Sequence, residues 1–253
     1  MIKINNLHKS LAGAKVLNGI DLAIKKGQIT ALLGSSGAGK SVLLKNIVGL
    51  MHPDSGEVIV DGKNIHAVKG KELRELRDSI GMLFQSGALF DSMTVKENLA
   101  FPLREKTGLS EKDIQDKVET ELKRVDMLEA LEKYPAELSG GMKKRAALAR
   151  CLILKPKIIF FDEPTTGLDP LISNAILRLI YNLHGELGFT AVIITHNFEK
   201  VFPIVHRVAM IDNGKIIACD KPENIMDSAN PIVSRFVTEA TRGPLEALNV
   251  EKN

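Results

Sequence analysis

A chain of 253 residues with 44% hydrophobic and 26% charged residues has the balance of a soluble globular protein, which excludes disordered and membrane-embedded classes. Its 34 basic and 31 acidic residues leave a net charge of +3, mixed along the chain with no basic footprint for nucleic acid. Two distant cysteines, Cys151 and Cys219, exclude a disulfide framework, and the absence of tryptophan argues against a base-stacking platform.

The amino terminus, "MIKINNLHKS", lacks the apolar core and cleavage site of a secretory signal, and runs such as "KIIFF" are far too short for a bilayer span. A cytosolic protein is expected. "IKIN", "GIDLAI", "QITALLG" and "GEVIVDG" read as strands, several antiparallel, with a turn at Asp61-Gly62. Between them, "KSVLLKNIVGL" has helical spacing behind a glycine loop. From about Val95 to Lys155 charged helical patterns replace the strands. There, Ser110 followed by Asp113 forms a capping signal, and Ile114, Val118, Leu122 and Val125 share one face. After Pro156, "KIIFFDEP" and "TAVIITH" flank a helical stretch and read as a βαβ unit of a parallel sheet. "RVAMIDNGKIIACD" reads as a hairpin turning at Asn213-Gly214, and the stretch from Lys221 as two short helices with a polar end. Both cysteines lie in apolar patterns that suggest small buried side chains.

The chemistry concentrates at the strand ends. Gly34, Ser35, Ser36, Gly37, Ala38, Gly39, Lys40 and Ser41 fit G-x-x-x-x-G-K-[ST] between a strand and a helix, the context in which backbone N–H groups cradle phosphates. In such a loop Lys40 is expected to reach the β- and γ-phosphates of a nucleotide, and the Ser41 hydroxyl to ligate Mg²⁺. Asp162, ending an apolar strand, is the matching metal carboxylate, and Glu163 is the candidate general base for an attacking water. His196 ends the next parallel strand, where a γ-phosphate contact competes with a structural role. Gln85 ends "IGMLFQ" and is either a polar loop residue or a sensor of Mg²⁺ and water. A second helix start, Ser139, Gly140 and Gly141, offers a hydroxyl and unhindered N–H groups, again suited to a phosphate.

Taken together these stretches resemble the nucleotide-binding subunit of an ABC transporter across nearly the whole chain. "GSSGAGKS" matches Walker A, "IIFFDE" Walker B, Gln85 the Q-loop, "LSGGM" the signature, Gly167 to Asp169 the D-loop and His196 the H-loop. The resemblance implies an α/β P-loop NTPase of the ABC ATPase fold, with a mixed sheet core, an antiparallel β subdomain and an inserted α-helical subdomain. It places a single ABC ATPase domain at residues 1–228, the helical insertion at about 87–156, and a carboxyl-terminal extension at 229–253. In such proteins two copies meet head to tail, so that Ser139, Gly140 and Gly141 of one contact the ATP held by the other. Asp169 is then the D-loop residue, and Ser41, Gln85 and Asp162 surround Mg²⁺.

Met142 in the signature, together with "LFDSMTVKENLAFPLRE", is similar to the ATPase of Mla/Mce-type phospholipid transport systems. That likeness implies ATP hydrolysis by a homodimer, peripheral on the cytoplasmic face of the inner membrane, with an integral permease, an MCE-domain lipid-binding protein and no nucleic acid as partner. Leu89, Phe90, Met93 and Val95 are candidates to line a groove for a permease helix, or to pack the insertion. An importer ATPase for a small solute shares the chemistry, and so does a soluble ABC ATPase, which more often carries tandem cassettes or coiled coils. A small P-loop kinase has no use for "LSGGM". The stretch before the second strand offers Leu11 where the family places an aromatic residue for adenine. Phe236, Leu245 and Leu248 are candidates to support dimerisation, so truncation after Ser228 is expected to weaken pairing.

Overall fold

Apolar residues at Ile2, Ile4 and Leu7 face partners Ile24, Leu22 and Ile20, and this register joins β1 (Ile2–Leu11) to β2 (Ala14–Ile24) as an antiparallel hairpin. All six are buried. The alternation breaks after Ile4, where an irregularity shifts the register and returns Leu7 to the buried face. These strands run well beyond the apolar segments that identify them in the sequence. The computed structural model describes residues 1–247, with side chains through Glu239, as two compact units: residues 1–77 with the stretch from Thr190 on, and residues 78–189.

In the first unit β3 (Ile29–Leu33) is buried throughout and leads into α1 (Lys40–Ile47). β4 (Ser55–Val60) and β5 (Lys63–Asn64) complete an antiparallel sheet in the order β2-β1-β4-β5, and Val60 pairs with Lys63 across the expected turn. α2 (Gly70–Asp78) follows; it is strongly charged, buries only Leu76, and has no counterpart in the sequence expectations.

The second unit opens with β6 (Ile80–Leu83), and helices then fill the chain up to the next strand. α3 (Val95–Lys106) starts in a capping box between Thr94 and Glu97. α4 (Glu111–Arg124) starts at Ser110, whose Oγ accepts from Asp113 N at 3.2 Å and donates to Asp113 Oδ2 at 2.6 Å. Ile114, Val118, Leu122 and Val125 are all buried, as their spacing requires. Ser110→Ala is expected to cost about 1 kcal/mol of stability, measurable as a lower urea midpoint. α5 (Gly140–Leu152), β7 (Ile158–Asp162) and α6 (Pro170–Leu187) follow, with β7 parallel to β6.

The chain returns to the first unit as β8 (Thr190–Thr195), then α7 (Phe198–Val201), β9 (Arg207–Asp212) and β10 (Lys215–Asp220). β8 and β9 flank β3 in parallel, and β10 is antiparallel to β9. The hairpin turns at Asn213 and Gly214 with φ of 44° and 70°, the double left-handed conformation in which Asn-Gly is favoured. Cys151 and Cys219 are free and half-buried.

The carboxyl-terminal expectation needs correction. α8 (Pro222–Met226) is short, but α9 (Pro231–Ala247) spans 17 residues. Val233 and Val237 are buried at helical spacing, and the Phe236 ring meets Phe198 edge-on at 6.3 Å. Phe236 therefore has a partner within its own chain. The side chain of Leu245, and Leu248 altogether, lie outside the described residues. No helix among the described residues is long and apolar enough to cross a membrane.

Candidate functional site

In the first unit, the parallel register of β3 and β8 pairs Leu33 with Thr195. The next residues are Gly34 and His196, so the glycine loop and the exposed histidine leave the same edge of the sheet, the carboxyl edge where α/β folds take ligands. Gly34 is fixed by close approach: a Cβ there would stand 2.4 Å from the carbonyl oxygen of Ile211 in β9. Ser35, Ser36 and Gly37 are exposed, Ala38 and Gly39 are buried, and Ser41 is exposed on the first turn of α1. Lys40 Nζ folds back to donate to Gly34 O at 2.7 Å and Ser35 O at 2.8 Å. α1 has no acidic residue in its first turn and no side-chain cap. Its positive end is thus left for an external anion. Asn197 caps α7 by accepting from Lys200 N at 3.4 Å, which accounts for an amide beside His196. Leu11 is partly exposed at the end of β1.

In the second unit the same logic brings another set together. β6 and β7 pair Leu83 with Phe161 in parallel, so Gln85 and the carboxylates Asp162 and Glu163 emerge just past neighbouring strand ends. Gln85 is exposed; Asp162 and Glu163 are half-buried. Glu163 is held at φ 47°, uncommon for a non-glycine residue, and its Oε2 accepts from Thr166 Oγ1 at 3.2 Å. Asp169 caps α6, its Oδ1 accepting from Ile172 N at 2.9 Å. Ser139 caps α5, its Oγ accepting from Met142 N at 3.3 Å. A Cβ on Gly140 would meet Leu168 at 3.1 Å and one on Gly141 would meet Ile172 at 2.8 Å, so these glycines serve packing as well as backbone access.

One residue of this set escapes sequence reasoning. Lys144, two positions past Met142, is only 6% exposed, and its Nζ donates to the main-chain oxygen of Gln85 at 2.5 Å. Burial pulls its pKa below the usual lysine value, against the opposing pull of the Asp162 and Glu163 carboxylates. The helical period offers a signal for it: Lys144 lies four residues before buried Leu148 on the inward stripe of α5.

The candidates for a docking groove divide. Val95 is buried in the core of the unit, whereas Leu89 and Met93 are half-buried. Phe90 is 45% exposed and stacks edge-on with partly exposed Phe101 at 5.4 Å. Fully buried Asn98 holds the loop beneath them. Its amide accepts from Phe90 N at 2.8 Å and donates to the carbonyls of Phe90, Met93 and Thr94 at 3.0–3.1 Å.

The residues fit a Mg²⁺-nucleotide by their chemistry. The loop presents backbone amides and a cation beside an uncapped helix start. Among the described residues no cluster of three or more His, Cys, Asp or Glu could hold a metal by itself. In the second unit Gln85 and Asp162 offer oxygen donors of the kind Mg²⁺ takes, commonly one or two carboxylates with phosphate oxygens and water.

A sequence profile of the family described as ABC transporter matches residues 17–166. The chain is 39% identical over 244 residues to the probable ribonucleotide transport ATP-binding protein mkl of Mycobacterium tuberculosis, covering 96% of this chain and 68% of that one. It is 40% identical over 245 residues to the intermembrane phospholipid transport system ATP-binding protein MlaF of Haemophilus influenzae, covering 97% and 93%. To the methionine import ATP-binding protein MetN of Clostridium acetobutylicum it is 40% identical over 252 residues, covering 99% and 78%. Among solved structures, the dimeric post-hydrolysis state of the ATP-binding cassette MJ0796 bound to ADP and Pi superimposes with a TM-score of 0.79 at 30% identity, covering 88% of this chain and 99% of that one.

Proposed function

Because the chain belongs to the ABC transporter family and is an ATP-hydrolysing subunit of it, we propose that two copies pair head to tail to drive phospholipid transport through a membrane permease. The observation that carries the hydrolytic reading is positional: within each unit the polar candidates leave the carboxyl ends of adjacent parallel strands. Lys40 and His196 hold the γ-phosphate, and Glu163 orients the attacking water and takes its proton. Ser41, Gln85 and Asp162 would hold Mg²⁺. Mg²⁺ held there would supply positive charge beside the phosphate oxygens. Ser139, whose oxygen already caps α5, has its hydroxyl proton to donate to the γ-phosphate of the partner's ATP. Gly140 and Gly141 add the amides of the same helix start. Once that phosphate leaves, the contact closing the pair is lost and the two copies part.

The phospholipid cargo is supported by the Met142-containing signature, by the segment from Leu89 to Glu105, and by the extended likeness to the MlaF protein. The subunit then sits on the cytoplasmic face of the inner membrane, bound to a permease partly through Phe90 and Phe101, with an MCE-domain protein in the same assembly. The comparable identity to a methionine importer subunit favours the alternative of a small-solute importer. Purification from membranes, with mass spectrometry of associated chains and lipids, separates the two. Phospholipid and an integral permease are expected to co-purify. A permease complex without lipid but with a solute-binding protein would overturn the cargo, and recovery solely in the soluble fraction would overturn the membrane assignment.

A further inference from the structure

The helix that begins with Ser139 runs beside the loop that begins with Gln85, and three contacts fix their alignment. Lys144 donates to Gln85 O at 2.5 Å, Gly87 lies where a Cβ would be 3.3 Å from Ala147 Cβ, and the Arg150 guanidinium sits 5.4 Å over the Phe90 ring. Residues 85, 87 and 90 thus track 144, 147 and 150 along about 9 Å of one helix face.

The first contact is energetically unusual. A buried cation costs several kcal/mol unless charges and hydrogen bonds compensate it, whereas an apolar chain of the same length would fill the space without that cost. Lys144 has a neutral carbonyl as its hydrogen-bond acceptor, and the compensating charges come from Asp162 and Glu163. Those are the two carboxylates at the end of β7. Arg145, the next residue along the helix, points elsewhere and binds Val125 O and Asp126. The arrangement therefore belongs to Lys144 and not to Arg145.

We propose that Lys144 is a positioning residue for ATP hydrolysis. Its ammonium pins the main chain of Gln85, so that the signature helix and the Gln85 loop keep one geometry. The assignment rests on the roles given above to Gln85 and Glu163. It requires no contact between Lys144 and nucleotide.

Steady-state ATPase measurements on the full chain test it. Lys144→Met is expected to lower kcat by about 10–100-fold, the range seen when outer-sphere partners of metal ligands are lost. The KM for ATP should stay within about twofold, a split that marks loss of an interaction made in the transition state. The unfolding midpoint should hold or rise, and the Mg²⁺ concentration for half-maximal turnover should increase. Lys144→Arg should recover most of kcat. Lys144→Gln keeps a donor for Gln85 O without charge, and its kcat should fall between those of Met and Arg.

A wild-type kcat in the Met variant would overturn the proposal. So would a kcat loss matched by a fall in the unfolding midpoint and not recovered by Arg. If the Met variant does not fold, wild-type turnover by the Gln variant overturns the charge component. Glu163→Gln measured alongside keeps the two readings apart. Normal turnover there, with Lys144→Met impaired, removes Glu163 as base but leaves the link between Lys144 and Gln85 supported.

Discussion

Glu163→Gln is expected to lower ATP turnover by roughly 10²–10⁴-fold, the contribution typical of a general base, and to leave ATP binding intact. The amide matches the carboxylate in shape, and its oxygen can still accept from Thr166 Oγ1, so the left-handed backbone at this position is not disturbed. What the amide loses is the capacity to take a proton from water. On the proposed pairing, a retained γ-phosphate keeps the contact with Ser139 and its neighbouring amides, and the paired state should persist. Size-exclusion chromatography with ATP and Mg²⁺ should show a larger dimer fraction for the variant than for the wild-type protein. Wild-type turnover would remove Glu163 from the base role, and a monomer that binds ATP would break the proposed link between phosphate and pairing.

Gly34→Ala is expected to be the most damaging single-methyl change in the glycine loop. The added Cβ would lie 2.4 Å from Ile211 O and 2.9 Å from Ile211 Cγ2. The first is main chain of β9, which is held by β3 on one side and by β10 on the other, so it cannot retreat. Overpacking of this kind costs about 1–3 kcal/mol and sometimes more, and relief by shifting the loop would spoil the phosphate cradle. Urea unfolding and ATP titration together should therefore show a lower midpoint and weakened binding. Gly37→Ala is the comparison: no atom lies within 4 Å of its Cβ position, so only the strain of its positive φ remains. Equal effects at the two positions would argue against the clash with β9.

Much of this architecture is legible because it follows short-range rules. Alternation marks β1 and β2, an Asn-Gly pair marks the hairpin at 213–214, and Ser110 with Asp113 marks the start of α4. The positions of Gln85, Asp162, Glu163 and His196 are readable for a related reason: each follows an apolar strand, and strand ends are where parallel sheets expose polar residues. α2 is not legible because its apolar side consists of Leu73 and Leu76 alone, one turn apart in an otherwise charged sequence. α9 is longer than its sequence suggests because tertiary burial supports it: Val233 and Val237 are buried, and Phe236 meets the distant Phe198. Lys144 was hidden by chemistry, since adjacent lysines ordinarily signal a solvated face, and only the helical register sets the two apart.

Asn98 has a mechanical consequence. By gripping the backbone of Phe90, Met93 and Thr94 from within α3, it removes the slack that a surface loop ordinarily has. A load applied at the exposed Phe90 ring cannot be absorbed by local bending. It must drag α3 and, through Arg150, the far end of α5. The segment from Gln85 to Phe90 is thus braced at both ends, by Lys144 at Gln85 and by Asn98 and Arg150 at Phe90.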